Sequence, residues 1–134
     1  MAPTDITAGT IPMSFVLNLL NGTPLDPAGQ ADALARAGIA PVLLGAETAR
    51  VTTEQFATLY RQLASQLDDE LPGMFSRPVR SGSLKFLCLS LLDSATLQTA
   101  LFRLSRFFHL LLDHFRIELA REGSLIRMAL IPRT

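Results

Sequence analysis

Few side chains in this sequence are of the kinds that carry out catalysis, and they do not form a catalytic pattern. The two histidines, His109 and His114, lie on either side of Asp113. His109 precedes Asp113 by four residues, a spacing that places two side chains on one face of a helix. This spacing favours a helical pair over an acid–base dyad. A zinc site would need a third ligand at a suitable spacing, and the sequence supplies none.

The remaining nucleophiles and acids also lack a catalytic context. Ser90 and Ser94 are not flanked by the glycines of a nucleophile elbow. The acidic run at residues 68–70 is predicted to be a solvated loop and not a pair of catalytic carboxylates. Cys88 is the only cysteine and lies in an apolar run, so we predict a small buried hydrophobic residue without a disulfide. The sequence therefore predicts neither an enzyme nor a cofactor or metal site.

The composition indicates one apolar domain. The length of 134 residues suits a single domain, and the 12 basic and 12 acidic residues cancel, which disfavours a phosphate-binding surface. The stretch from Phe86 to Leu92 is far shorter than the roughly 20 residues of a membrane-spanning helix. The first residues lack the features of a secretory signal. We therefore predict a cytoplasmic protein whose surplus apolar residues meet a partner, a second copy or a missing part of the chain.

Helix start and stop signals mark the first half of the chain. Residues 11–20 are predicted to form a short helix. Asp26-Pro27 has the form of an N-cap followed by a proline at the first helical position, and Gly38 is placed to end that second helix. Thr52 and Gln55 have the spacing of a capping box at the start of a third helix.

The second half is predicted to contain two more helices and a hairpin. Residues 84–92 are apolar on nearly every side, which predicts a central buried helix, with a strand as the alternative. A longer helix follows Ser94 or Thr96. The alternation at residues 115–119 and the turn before residues 125–131 predict a β-hairpin. The predicted fold is mainly α, of the α+β class: a bundle of about five helices followed by a C-terminal β-hairpin.

A family resemblance lies in GSLKFLCLSLLDSATLQTALFRLSRFFHLLLDHFRIELAREGSLIRMAL, with VTTEQFATLYRQLASQL and ARAGIAPVLL upstream of it. This pattern resembles the N-terminal regulatory domain of AraC-type bacterial transcription regulators, in the subgroup whose sensor begins with helices. It covers roughly residues 11–131. Two positions depart from the family pattern: Lys85-Phe86 stands where a second glycine is usual, and the acidic run at residues 68–70 replaces an Asp-Pro step.

The resemblance implies an effector-sensing and dimerisation domain, without a cofactor, that reaches DNA only through a C-terminal domain missing from this chain. We expect residues 1–10 to be a flexible leader and residues 11–134 to be a single regulatory domain truncated at its C-terminal end. The segment ADALARAGIAPVLL looks like a helix-turn-helix, but its second half offers almost nothing to contact base edges. The alternative function is a structural helical self-association module without a small ligand, and an enzyme ranks third.

An effector pocket is predicted among residues 84–92, the long helix and the hairpin. Each candidate polar contact is a residue with a polar side-chain group in an otherwise apolar helix. The candidates are Tyr60, Cys88, Arg106 and His109. Arg106 would suit a carboxylate-bearing metabolite because a guanidinium binds a carboxylate with two hydrogen bonds. For each of them the alternative is an ordinary core or surface position. Phe102 and Leu110 form a second apolar face on the long helix, which predicts a homodimer interface or a helix sandwiched in the core.

Overall fold

A computed structural model of the chain describes residues 9–46 and 48–133. These residues form five α-helices, one 3₁₀ helix and two antiparallel strand pairs. In chain order the elements are β1 (Thr10–Pro12), α1 (Met13–Asn21), α2 (Pro27–Arg36), the 3₁₀ helix (Pro41–Gly45), β2 (Arg50–Thr52), α3 (Thr53–Leu67), α4 (Ser83–Leu91), α5 (Leu97–Leu111), β3 (Phe115–Glu122) and β4 (Leu125–Pro132). The predicted α+β fold of about five helices and a C-terminal hairpin is confirmed.

The predicted leader falls mostly outside the described residues, which begin at Gly9. Thr10 already belongs to β1, where it pairs with Thr52 of β2. Within the described ranges, no helix has both the length and the apolar character needed to cross a membrane.

The start signals of α2 and α3 act as predicted. A carboxylate oxygen of Asp26 accepts a hydrogen bond from the Gly29 amide at 2.7 Å, and Pro27 follows as the first helical residue. Thr52 and Gln55 form the complete capping box, each side chain accepting from the backbone amide of the other. Gly38 has a φ of 76°, the left-handed conformation that ends a helix at low cost for glycine. The 3₁₀ helix follows it, where a helix-turn-helix would need a second α-helix.

The main hydrophobic core lies in the first half of the chain. It is formed where α1, α2 and α3 pack on one another and on the β1–β2 pair. Its buried members are Met13, Val16, Leu20, Ala33, Leu34, Ala37, Ile39, Val51, Leu59 and Leu63.

The segment between α3 and α4, residues 68–82, is here called the connector. Asp68 is exposed as predicted for a solvated loop, but the other two acidic residues are not. Asp69 is buried, and its carboxylate accepts hydrogen bonds from the amides of Leu71, Gly73 and Val79 at 2.9–3.1 Å. Glu70 accepts from the amides at the start of α4. For Asp69 and Glu70 the prediction was wrong because the connector folds back over them, so that its own amides replace water around these carboxylates.

The second half buries fewer side chains than its sequence predicts. The helix at residues 84–92 is confirmed as α4, but its central burial is wrong: Leu87 is buried, whereas Phe86 is 74% exposed. Cys88 is exposed as well, which corrects the prediction of a buried cysteine. The reason is that α4 packs chiefly against α5, so one face of it is covered among the described residues.

Candidate functional site

The imidazole of His109 lies at the outer edge of β3. Its Nε2 is 3.0 Å from the amide nitrogen of Ile117 and 3.1 Å from the carbonyl oxygen of the same residue. The predicted helical pair with Asp113 is wrong, because α5 ends at Leu111 and Asp113 therefore lies beyond the helix.

Asp113 instead joins the connector to the end of α5. Its carboxylate accepts a hydrogen bond from the Ser76 hydroxyl at 2.9 Å and forms an ion pair with Arg77 at 2.8 Å. The Ser76 hydrogen bond is the main cause that lowers the pKa of the Asp113 carboxyl below its ordinary value. Desolvation opposes this shift, and the Arg77 charge adds to it. Ser76 and Asp113 lie directly after Phe75 and Leu112 in the chain, so their hydrogen bond holds together two segments that bear apolar side chains.

An apolar cavity of about 380 Å³ lies where these segments face the hairpin. Every side chain that lines it is hydrophobic, and its volume suits a small ligand. The connector contributes one wall, α5 and the residue after it the second, and the hairpin the third. The lining residues are Met74, Phe75, Phe108, Leu112, Phe115, Ile117 and Leu130.

A comparison with protein families matches residues 28–134 to the family described as the arabinose-binding domain of AraC transcription regulator, N-term. The chain belongs to this family. The match confirms the resemblance drawn from the sequence and includes every segment that lines the apolar cavity. No curated protein and no solved structure gives a match.

As an AraC-type arabinose-binding domain, the chain is a ligand-sensing regulatory domain of a transcription regulator. The family is one of regulatory domains and not of enzymes. Within the described part of the chain, no group of three or more histidine, cysteine, aspartate or glutamate side chains is placed to hold a metal ion.

The four predicted effector contacts of this AraC-type domain lie in different places. Tyr60 donates a hydrogen bond from its hydroxyl to the carbonyl oxygen of Glu70 at 2.6 Å and lines a second, more polar cavity between α3 and the connector. Burial is the main cause that raises the pKa of the Tyr60 phenol, with smaller contributions from the Asp69 and Glu70 carboxylates. Cys88 and Arg106 are exposed on α4 and α5.

His109 is the predicted contact nearest to the apolar cavity, since its hydrogen-bond partner Ile117 lines it. The structure therefore does not gather the four predicted residues around this cavity. The residues that sequence reasoning missed are Met74 and Phe75. Their only signal was two large apolar side chains in a proline- and glycine-bounded connector.

The two predicted interface residues are accessible on α5. Phe102 is 58% exposed and Leu110 is 76% exposed. Neither is sandwiched in the core of the described residues, so the alternative drawn from the sequence does not hold for this part of the chain.

Proposed function

We propose that this chain is the effector-sensing and dimerisation domain of a bacterial transcription regulator, with its effector held in the apolar cavity. The observation that carries the proposal is the cavity itself, which combines a volume of about 380 Å³ with a wholly hydrophobic lining. Binding of the effector controls a DNA-binding half of the regulator that is separate from this domain. A cytoplasmic location remains a prediction from the sequence.

The lining favours an effector with an apolar body. A charged group inside the cavity would lose its hydration without a compensating partner. A carboxylate on the effector is best placed outside the apolar lining. The charged group nearest in the chain to that lining is Arg77, two residues after Phe75, whose guanidinium already binds the Asp113 carboxylate and can form paired hydrogen bonds with another.

The polar contacts proposed from the sequence remain Tyr60, Cys88, Arg106 and His109. His109 has the strongest support because its imidazole bonds to a residue of the cavity wall. Effector binding that is insensitive to Arg106→Ala and His109→Ala would remove these two residues from the proposal.

Helix α5 supplies the connection between effector binding and self-association. Phe108 lines the cavity, while Phe102 and Leu110 on the same helix are exposed and available to a second copy. An effector that binds one position of α5 more tightly than another shifts the population towards that position. The same shift then changes the affinity between the two subunits.

The cavity is tested with indole and indole-3-acetate, two probes that share an apolar body and differ by a carboxylate. Binding is measured by calorimetry on the purified chain, on Met74→Trp and on Val42→Trp. Met74 is an exposed residue of the cavity wall, so a larger side chain there closes the cavity, whereas Val42 is exposed outside it.

We expect at least one probe to bind the unsubstituted chain and Val42→Trp, with at least tenfold weaker binding to Met74→Trp. Equal binding to both variants would remove the cavity from the proposal. Absence of binding by either probe would favour the alternative, a structural self-association module without a small ligand.

Dimerisation is tested separately by exchanging Phe102 and Leu110 for glutamate. The proposal expects a folded monomer where the unsubstituted chain is a dimer, measured by analytical ultracentrifugation with circular dichroism as the check on folding. An unchanged dimer would show that this face of α5 is not the interface.

A further inference from the structure

The two strands of the hairpin present alternate backbone groups to their outer edges. Neighbouring pairs in an antiparallel ladder alternate between hydrogen-bonded and non-hydrogen-bonded. The two-residue turn closes on the pair of Glu122 and Leu125, and the amide of Arg133 bonds to the carbonyl of His114 at the other end. The hydrogen-bonded pairs therefore join even-numbered residues of β3 to odd-numbered residues of β4. The even-numbered residues of β4 do not bond to β3, and they turn their amides and carbonyls outward.

The outer edge of β3 is partly covered, whereas the outer edge of β4 is open among the described residues. On β3 the outward groups of Ile117 meet the imidazole of His109, and α5 packs beside the strand. On β4 the outward backbone groups belong to Ile126, Met128 and Leu130. No hydrogen bond from elsewhere in residues 9–46 and 48–133 reaches these groups. An open strand edge of this kind is a template for pairing with another strand.

The side chains of the same three residues extend an apolar surface to the open edge. The register pairs Leu130 with Ile117 and Met128 with Leu119, so these side chains share one face of the hairpin. Met128 is 51% exposed and Leu130 is 61% exposed. Phe102 of α5 lines a depression together with Ile126, so the exposed face of α5 continues into this surface.

We infer that β4 pairs antiparallel with β4 of a second copy of this chain, about a two-fold axis that passes beside Met128, to form a four-stranded sheet. The inference rests on the proposed self-association and specifies how it occurs. In this register Met128 faces the partner subunit's Met128, and Ile126 faces the partner subunit's Leu130. All three outward amides and carbonyls then find partners. Pro132, which has no amide hydrogen to donate, lies beyond the paired residues.

Charge complementarity on the opposite face of the sheet favours a second copy as the occupant. The register places Arg127 of one subunit opposite Ala129 of the other, and Ala129 lies beside Glu118 within its own hairpin. Within its own hairpin, Arg127 already pairs with Glu122 at 3.0 Å, and Glu118 pairs with Arg116 at 2.8 Å. Across the axis only the small Ala129 separates Arg127 from the Glu118 carboxylate of the other subunit, so charges of opposite sign approach each other there. Like charges directly opposite each other would destabilise the pair, and this register places none in such positions.

The self-facing position of Met128 gives a direct test. Met128→Lys and Met128→Glu are each purified as the full chain, and their oligomeric states are measured alone and as an equal mixture by native mass spectrometry. Alone, each variant places like charges at the axis. We expect both to be monomeric at a concentration where the unsubstituted chain is dimeric, and the mixture to form a one-to-one heterodimer.

A second measurement does not depend on charge. In a Cys88→Ser background, Met128→Cys brings two thiols together at a hydrogen-bonded pair, where the α-carbons are about 5.5 Å apart, within the range of a disulfide. We expect it to cross-link on mild oxidation, whereas Leu125→Cys, which faces the partner subunit's Ile131, does not.

Three results would overturn the inference. The first is a dimer unaffected by either charge at position 128, and the second is a mixture that remains monomeric while both variants are folded. The third is equal cross-linking of the two cysteine variants. If the glutamate exchange at Phe102 and Leu110 abolishes a dimer that the Met128 variants retain, self-association through α5 stands and pairing through β4 does not.

Discussion

The Nε2 atom of His109 lies 3.0 Å from the amide nitrogen of Ile117, eight residues further along the chain. This contact joins the last turns of α5 to the outer edge of β3. It satisfies a backbone group that the two-stranded hairpin alone leaves unpaired. Since Ile117 also lines the apolar cavity, the contact fixes one wall of the proposed effector site.

Replacing His109 with alanine should loosen this wall. The Ile117 amide would lose its acceptor, which we expect to lower the free energy of unfolding by about 1 kcal/mol. The exchange of the Ile117 amide hydrogen should become faster, as measured by NMR. His114→Ala is the matched control because His114 is exposed and its imidazole forms no hydrogen bond with another described residue. Equal effects of the two substitutions would contradict the assigned role of His109.

The Asp69 carboxylate should be the largest single contributor to the order of the connector. Asp69→Ala leaves three amides without their acceptor, and we expect it to lower the free energy of unfolding by about 3 kcal/mol. Asp68→Ala is the control, since Asp68 accepts one exposed hydrogen bond, from Ser81. Urea denaturation of the two variants compares the losses. A loss for Asp69→Ala no greater than that for Asp68→Ala would show that the connector does not depend on Asp69.

Local chemistry made part of this fold predictable from the sequence. The capping box of Thr52 and Gln55 involves residues three apart, so its pattern is visible without knowledge of the tertiary structure. The hairpin turn is equally local, because Gly123 supplies the positive φ that the two-residue connection needs. Both predictions are confirmed.

Contacts between distant segments were not predictable in the same way. The burial of Asp69 depends on the return of the chain at Val79, and an acidic run alone is typical of a solvated loop. The exposure of Phe86 depends on which segments cover α4, a question that an apolar run does not answer. The cavity wall formed by Met74 and Phe75 also depends on the path of the connector. The sequence therefore predicted residues 84–92 as the third wall, beside the long helix and the hairpin, where the structure has the connector.

Tyr60 makes the stability of the folded chain depend on pH in the alkaline range. Burial, followed by the charges of Asp69 and Glu70, raises the pKa of its phenol in the folded chain. Above about pH 10, the ordinary value, the unfolded chain therefore releases this proton more readily than the folded chain. The contribution of the protonated Tyr60 phenol to the free energy of unfolding is fully present below that pH. It is lost as the pH rises through the pKa of the phenol in the folded chain.

The measurement follows tyrosinate absorbance, which reports on Tyr60 alone because the chain has one tyrosine and no tryptophan. We expect the folded chain to titrate at a higher pH than the chain in concentrated urea. Tyr60→Phe removes the hydrogen bond to the Glu70 carbonyl and should lower the free energy of unfolding by about 1 kcal/mol at neutral pH. The stability of this variant should depend less on pH in the alkaline range. Identical titrations of the folded and unfolded chains would contradict the burial of the phenol.

Gly73 should be far less tolerant of substitution than Gly38, although both have positive φ values, 67° and 76°. A Cβ at Gly73 would overlap the backbone of Gly22, where the connector meets the end of α1, whereas a Cβ at Gly38 would meet no atom within 4 Å. Gly38→Ala therefore carries only the conformational cost, about 1 kcal/mol. Gly73→Ala adds a clash between two backbone segments that must then separate.

We expect the loss of unfolding free energy to be at least twice as large for Gly73→Ala, measured by urea denaturation. Separation of the connector from α1 also displaces Met74 and Phe75, so binding of an indole probe in the apolar cavity should weaken in Gly73→Ala and remain in Gly38→Ala. A stable Gly73→Ala chain that binds the probe normally would show that the connector reaches the cavity without this close approach to α1.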